Sequence, residues 1–378
     1  MDIKELRKEI DGINNDMLDL FVRRMKVSEE IAAYKRENGM PVIDRARERE
    51  ILAAMSEKAG EEMEKYAYYF FSKVMDLSRA HQHEILTGES RVRKQIEDAI
   101  ARAEEVFPQS GLIACQGVEG SNAQIACDKM FPRGHIMYVK SFKAVFDAVD
   151  AGLCKFGILP IENSANGSVR AVYELLRERK YPIVRSTKLY ISHELLALPG
   201  TDLSKIKSVY SHQQAIGQCE NFLATLNAEI IPCENTAVAA KMVAESGDPE
   251  AAAIANAMCA ELYGLDTLKE GIQDNNNNYT RFICITKAPV IYEGSNHISL
   301  IVSCNNKPGA LNDILSKINA HGINMNKLES CPISGKDFEF MFFIELDASV
   351  KDPGVIPLLE DLERSCPIFE LIGNYAIV

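Results

Sequence analysis

The chain begins with apolar residues spaced three and four apart, which is the spacing of one face of an α-helix. This apolar stripe comprises Ile3, Leu6, Ile10, Ile13, Met17, Leu20, Val27 and Ile31. Gly39 and Pro41 interrupt it, and the spacing then predicts a second helix capped by Asp44 and a third over roughly 61–85. A first helix of about 35 residues is longer than the other two can cover, so the stripe predicts a dimer.

Beyond a charged helical segment, the pattern changes to strands that alternate with helices, which is typical of an α/β sheet domain. From His297 onward the order of elements is βαββαβ, which predicts a small ferredoxin-like sandwich. We therefore expect a multidomain protein in four segments: an all-α domain over 1–90, a helical linker over 91–109, an α/β domain over 110–288 and an α+β domain over 296–378.

The composition of the chain argues against several classes of function. The formal net charge of −12 and the sequence pI of about 5.2 disfavour nucleic-acid binding. The chain has no apolar run long enough for a membrane span and no signal-peptide core at its start. Ten scattered cysteines without a close C-x-x-C pair argue against a metal site and predict free thiols in a reducing cytoplasm.

Charged and polar residues fall on the predicted buried faces of the three N-terminal helices. They are Arg7, Arg24, Lys35, Asp44, Arg47, Glu48, Ser78 and Gln82. For any single arginine, a long side chain reaching to water is the better explanation. Asp44 and Glu48 could also simply pair with Arg47 on one helix. Because buried cations need a counter-charge, the whole set predicts a pocket for a small polyanion.

At these residues the sequence resembles the small all-helical chorismate mutases. The resemblance implies that Arg7, Arg24 and Arg47 hold the two substrate carboxylates, and that Asp44 and Glu48 meet the substrate hydroxyl. It also implies that the ether oxygen accepts a hydrogen bond from Lys35 and from Gln82 or protonated Glu48, with Ser78 among the binding residues. In that family the dimers intertwine and the first arginine serves the partner's site. A Claisen rearrangement needs no cofactor, only a held conformer and stabilised charge.

The middle segment resembles the prephenate dehydratases. The motifs are "GILPIENSANGSV" with Glu162, Asn163 and Ser164, "VYSHQQAIGQC" with Ser211 and Gln218, and "NYTRF" with Thr280, Arg281 and Phe282. The resemblance implies two α/β subdomains around a cleft, similar to type II periplasmic binding proteins.

In that family the threonine of Thr-Arg-Phe is essential, so Thr280 is expected to act as a positioned donor or proton relay. Arg281 is expected to bind a carboxylate, and Asn163, Ser211 and Gln218 to supply neutral hydrogen bonds. The resemblance also implies that Glu162, Ser164 and Phe282 belong to the substrate-binding set. Glu162 would act as an acid only if burial raised its pKa. We interpret the run from Asn275 to Asn278 as turn chemistry, and His212 as a loop histidine.

The C-terminal segment resembles the ACT domains fused to prephenate dehydratases. "PGALND" and "LESCPI" carry the resemblance, with Cys331 where that family usually has arginine. It implies an L-phenylalanine site made by Gly309, Ala310, Leu311, Glu329 and Ser330, between paired domains. The alternative is a purely structural dimerisation module.

Together the three resemblances predict a bifunctional isomerase and lyase of phenylalanine biosynthesis. It would convert chorismate to prephenate and then to phenylpyruvate, without metal or cofactor and with feedback by L-phenylalanine. One alternative is a prephenate or arogenate dehydratase whose helical segment is only a dimerisation arm. Another is an amino-acid sensor without catalytic activity.

Overall fold

The computed structural model describes residues 2–40, 44–86, 90–103, 106–304, 306, 308–332 and 340–378. By contact density the chain divides into two compact units. The first unit is Met1–Arg93 with Leu359–Ser365, and the second is Lys94–Leu358 with Cys366–Val378.

Three helices make up most of the first unit: α1 (Ile3–Glu37), α2 (Arg45–Ala59) and α3 (Glu64–Leu86). Their order and lengths confirm the prediction from apolar spacing. Asp44 caps α2 as expected, because its Oδ1 accepts a hydrogen bond from the Arg47 backbone N at 3.0 Å. Pro41, the predicted helix breaker, lies outside the described residues.

The face of α1 that packs inside this unit is not the apolar stripe. Ser28 and Ala32 are the buried residues of α1, four positions apart on one face. The stripe residues are instead 41–64% exposed. In a single chain these eight large apolar side chains are therefore exposed to solvent. The predicted dimer requires an exposed apolar surface of this kind.

A fourth helix, α4 (Arg91–Ala101), follows within the segment expected to be a linker. This helix packs against other elements and is not an exposed linker, since Ile96 and Ala99 are buried. In the second unit, Gln95 Nε2 donates to Leu371 O at 3.2 Å, and the Ile291 backbone N donates to Ala99 O at 3.1 Å.

The second unit alternates strands and helices. Its strands are β1 (Ser110–Gln116), β2 (Arg133–Val139), β3 (Phe156–Asn163), β4 (Gly167–Ser168), β5 (Ile183–Tyr190), β6 (Glu194–Ala197), β7 (Ser208–His212), β8 (Glu229–Cys233), β9 (Ala251–Ala255), β10 (Asp266–Lys269), β11 (Tyr279–Ile285), β12 (His297–Ser303), β13 (Asn324–Pro332), β14 (Phe340–Asp347) and β15 (Phe369–Ile377). Its helices are α5 (Asn122–Met130), α6 (Phe142–Asp150), α7 (Arg170–Arg179), α8 (Gln213–Gly217), α9 (Glu220–Leu223), α10 (Thr236–Ser246), α11 (Ala257–Tyr263), α12 (Ala310–Ala320) and α13 (Val355–Ser365), with a 3-10 turn at Leu203–Lys205. The last residues of α13 belong to the first unit.

These strands form two sheets. The smaller has the order β10, β6, β9, β7, β8, and every residue of its central strand β9 is buried. The larger contains ten described strands in the order β13, β14, β12, β15, β5, β11, β3, β1, β2, with β4 paired to β3. The two sheets confirm the predicted pair of α/β subdomains.

The larger sheet also contains the βαββαβ segment predicted at the C-terminus. Its strands β12 to β15 are antiparallel neighbours in the ferredoxin-like order. The last strand then pairs in parallel with β5, with Ala376 beside Arg185 and Ile377 beside Ser186. A Cβ at Gly373 would lie 2.2 Å from Ile183 O, so glycine is needed for this close approach. The C-terminal segment is therefore continuous with the sheet before it.

The remaining structural expectations concern thiols and membranes. All ten cysteines are free. In the described part of the chain no helix has the length and apolarity to span a membrane.

Candidate functional sites

Strands β3 and β11 place the dehydratase motifs side by side. They are antiparallel, with Thr280 opposite Asn163 and Arg281 opposite Glu162. Because successive side chains in a strand point to opposite faces, the first pair shares one face of the sheet and the second pair the other. We call these the front face and the back face.

On the front face the amide of Asn163 connects Thr280 with Asn278, and its Nδ2 also donates to Tyr279 O at 3.2 Å. Its Nδ2 donates to Thr280 Oγ1 at 2.9 Å and to Asn278 Oδ1 at 2.8 Å. Its Oδ1 accepts from the backbone N atoms of Ala165 and Asn166, each at 3.0 Å. Both ends of this amide are therefore fixed, and Thr280 Oγ1 receives a hydrogen bond rather than giving one to it.

The chain of hydrogen bonds continues into the second subdomain. Asn278 Nδ2 donates to Gln218 Oε1 at 3.0 Å, and His193 Nε2 lies 2.8 Å from the same oxygen. Gln218 follows α8, which packs on strands β7 and β8 of the smaller sheet. This contact therefore bridges the two subdomains. The predicted site residues Thr280, Asn163 and Gln218 are thus brought together.

Three other predicted dehydratase residues are engaged elsewhere. Ser164 Oγ donates to Asn277 O at 2.7 Å and accepts from the Tyr279 backbone N at 2.9 Å, so it holds the turn before β11. Ser211 is buried and donates to Ile254 O at 2.8 Å. Phe282 packs in the core between sheet and helices. In this geometry Ser211 and Phe282 support the fold, which corrects the expectation that they contact substrate.

The back face carries a buried ion cluster. Arg281 is 4% exposed, and its Nη1 and Nη2 donate to the carboxylate of Glu345 on β14 at 2.7 and 2.5 Å. Nη2 also lies 3.4 Å from Glu162 Oε2, which is bonded to Lys327 on β13. The guanidinium therefore points away from Thr280. This corrects the expectation that Arg281 holds a substrate carboxylate.

The charges in this cluster are mutually stabilised. Burial acts to raise the pKa of Glu162, but Arg281 and Lys327 outweigh it and hold that pKa below its usual value. Burial likewise acts to lower the pKa of Arg281, and the hydrogen bonds to Glu345 reverse the direction. Glu162 thus does not meet the condition for an acid catalyst, because its carboxyl stays ionised at neutral pH.

In the helical unit, a second polar cluster joins α1, α2 and α3. Arg24 Nη1 donates to Ser78 Oγ, and to Val74 O at 3.3 Å. Gln82 Nε2 donates to Ser28 Oγ at 2.7 Å. Ser78 and Gln82 are buried, and burial lowers the pKa of Arg24. Alongside, Glu48 on α2 pairs with Arg79, so four predicted residues lie at this junction.

The other predicted mutase residues lie apart from this cluster. Arg47 pairs with Glu50 at 2.6 Å and its side chain is 62% exposed. The exposed Asp44 serves as the helix cap described above. Along α1, a rise of 1.5 Å per residue separates Arg24 from Arg7 by about 25 Å and from the half-buried Lys35 by about 16 Å. An arginine side chain cannot cross 25 Å, so Arg7 does not reach this cluster within its own chain.

Six residues in these clusters were not predicted from the sequence, including Glu345 and Lys327 of the back face. Arg79 directly follows the predicted Ser78, and Ser28 lies four residues after Arg24 on the same helix face, so both positions could have been found from the sequence. Asn278 was hidden in the asparagine run. Asn275 does make a turn, accepting from the Asn277 backbone N at 2.8 Å, but Asn278 is 2% exposed and bonded at both ends. His193 lies outside the motifs recognised in the sequence. His212, which we interpreted as a loop histidine, caps α8.

The predicted effector residues occupy two elements of the C-terminal segment. Gly309 precedes α12 with a φ of +82°, and Ala310 and Leu311 begin that helix. Glu329 and Ser330 lie on β13, the outermost strand of the larger sheet. Glu329 accepts from Ser168 Oγ at 2.9 Å. An open outer strand leaves room for a second copy of the domain.

Comparison with known proteins supports this division of the chain. Family models match residues 6–83 as chorismate mutase type II, 113–290 as prephenate dehydratase and 298–364 as an ACT domain. The bifunctional chorismate mutase/prephenate dehydratase of Stutzerimonas stutzeri is 30% identical, over 99% of this chain and 97% of the relative.

A plant protein and a solved structure each match 70% of the chain. Arogenate dehydratase/prephenate dehydratase 1 of Arabidopsis thaliana is 35% identical, over 70% of this chain and 71% of the relative. The crystal structure of prephenate dehydratase from Arthrobacter aurescens in complex with L-Phe aligns with a TM-score of 0.64 and 28% identity. That alignment covers 70% of this chain and 90% of the crystallised one.

Proposed function

The chain belongs to the bifunctional chorismate mutase/prephenate dehydratase family, and we propose that it catalyses both reactions. It rearranges chorismate to prephenate and then converts prephenate to phenylpyruvate, with L-phenylalanine as feedback effector. The observation that carries this proposal is the presence of two separate polar clusters, one at Arg24 and Ser78 and one at Asn163 and Thr280.

The front face suits the dehydration. Prephenate loses carbon dioxide and its ring hydroxyl as the ring becomes aromatic, so the departing oxygen needs a hydrogen-bond donor. Thr280 Oγ1 accepts from Asn163, and the described residues offer its own hydrogen no acceptor. That hydrogen is therefore available to the substrate hydroxyl.

The helical cluster suits the rearrangement. Arg24 is half-buried and held by Ser78, while Gln82 and Glu48 supply an amide and a carboxyl nearby on the same junction. Such fixed donors hold a dianionic substrate in its reactive conformer and stabilise negative charge on the ether oxygen.

We further propose that a second copy completes the mutase site. The exposed apolar stripe of α1 supplies the surface, and Arg7 lies about 25 Å from the cluster of its own chain. In a two-fold dimer, α1 of one copy carries Arg7 to the site of the other.

The direct test of the two activities is to incubate the purified chain with chorismate and to follow prephenate and phenylpyruvate over time. We expect prephenate to rise and fall as phenylpyruvate accumulates. If only prephenate accumulated, the chain would have mutase activity and no dehydratase activity. The monofunctional alternative would be established if the chain did not turn over chorismate but did turn over supplied prephenate, or arogenate in a parallel assay.

Complementation tests the shared site. Arg7→Ala and Arg24→Ala chains should each lack mutase activity, whereas an unfolded and refolded equal mixture should recover roughly one quarter of the wild-type rate. Half of the dimers are then mixed, and each mixed dimer has one intact site. If Arg7 served its own chain, the mixture would recover nothing.

For the effector, the dehydratase rate is measured while L-phenylalanine is titrated. We expect the rate to fall with a saturable dependence. A flat response would leave the C-terminal segment as a dimerisation module.

A further inference from the structure

A continuous line of polar side chains runs from the second subdomain to Thr280. It comprises His193, Gln218, Asn278, Asn163 and Thr280, joined by contacts of 2.8, 3.0, 2.8 and 2.9 Å. Asn278 and His193, 2% and 4% exposed, have the least contact with solvent of the five. Side chains so little exposed offer almost no surface to a ligand, so the polar groups of these two residues call for an explanation other than substrate contact.

The donors and acceptors along this line follow from chemistry. Asn163 Oδ1 is used by two backbone N–H groups, so its Nδ2 must face Asn278 and Thr280. Asn278 must then present Oδ1 to Asn163 and Nδ2 to Gln218. Gln218 therefore accepts from Asn278 Nδ2 with its carbonyl oxygen. This oxygen has two lone pairs and also accepts from His193 Nε2–H. The direction of every bond is thereby set.

His193 is the fixed end of the line. Its backbone N donates to Gln273 Oε1 at 2.9 Å, and its backbone O accepts from Ile272 N at 2.9 Å. Gln273 in turn donates to the Tyr190 hydroxyl at 3.0 Å. Burial lowers the pKa of His193, so the imidazole stays neutral with a single N–H, on Nε2.

We propose that Asn278 and His193 are positioning residues of the dehydratase. They fix the amides of Gln218 and Asn163, and through Asn163 they orient Thr280 so that its hydroxyl hydrogen points to the substrate. This inference rests on the proposed function. If Asn278 is absent, Nδ2 of Asn163 loses one of its three acceptors and Gln218 loses a donor, so the orientation of both amides is less tightly fixed.

The test uses the full chain, with mutase turnover as an internal control in the same sample. Asn278→Ala should lower the dehydratase kcat between about 10-fold and 100-fold, with little change in KM, because orientation rather than substrate contact is lost. Asn276→Ala is the matched control, since Asn276 is exposed in the same asparagine run. It should leave both activities unchanged.

A second pair of variants decides the matter if Asn278→Ala unfolds. In His193→Gln the side-chain amide N replaces Nε2–H as a donor, whereas His193→Leu has none. We expect the glutamine variant to keep most of the dehydratase kcat and the leucine variant to lose it. Equal kcat in both, or Asn278→Ala matching Asn276→Ala, would overturn the inference. A wild-type chain without dehydratase activity would instead refute the proposed function.

Discussion

The two candidate sites are built on opposite plans. The dehydratase residues Asn163 and Thr280 face each other on neighbouring strands within one chain. The mutase residues are distributed along helices, with Arg7 about 25 Å from Arg24 and an apolar stripe exposed beside them. A sheet brings together residues far apart in sequence, whereas a long helix separates residues that are close in sequence. The first site is therefore assembled within one chain, whereas the proposed second site needs a partner to supply Arg7.

The same comparison applies at smaller scale to the two faces of β11. Thr280 lies on the front face beside Asn163, and Arg281, the next residue, joins the C-terminal segment through Glu345. One tripeptide motif thus places the proposed catalytic threonine on one face and an ion pair with the C-terminal segment on the other.

The largest expected effects come from removing one cluster at a time. Arg24→Ala should lower mutase turnover by about 100-fold or more, because a fixed donor to the developing charge is lost. Dehydratase turnover of supplied prephenate should persist. Thr280→Ala should give the reverse result and let prephenate accumulate from chorismate.

Conservative variants serve as controls for this pair. Thr280→Ser keeps the hydroxyl and should retain a large part of the dehydratase rate. If either alanine variant lost both activities while remaining folded, the separation into two sites would be wrong.

A smaller effect, on stability, is expected from the back face. Glu345→Ala leaves the buried Arg281 without its bidentate partner and should reduce the free energy of unfolding by about 3–5 kcal/mol. Urea denaturation measures this change. Lys351→Ala is the control, because it breaks an exposed pair with Glu293 worth about 0–1 kcal/mol. Equal changes in the two variants would show that Arg281 does not depend on Glu345.

The smallest effect concerns acid stability. The pKa of Glu162 is lower in the folded state than in the unfolded chain. Its ion pairs therefore stabilise the protein above the unfolded pKa, and this stabilisation is lost as pH falls through the folded pKa. Glu162→Gln should be less stable than wild type at neutral pH, and the two melting temperatures should converge as pH falls below the folded pKa of Glu162. A pH-independent difference would contradict this account.

Sequence alone determined the local features of this protein. Apolar spacing was sufficient for α1 to α3, the Asp44 cap and the βαββαβ order of the C-terminal segment, because helix and strand periods are properties of neighbouring residues. Short motifs were sufficient to locate Thr280 and Asn163.

Tertiary structure decided which face each element presents and to what. The burial of Ser28 instead of the apolar stripe, the turn of Arg281 towards Glu345, and the pairing of β15 with β5 all depend on contacts between distant segments. Asn278 shows the same limit, since only its contacts with Asn163 and Gln218 distinguish it from the other asparagines of its run. Local periodicity sets the shape of an element, but its surroundings are set by residues far along the chain.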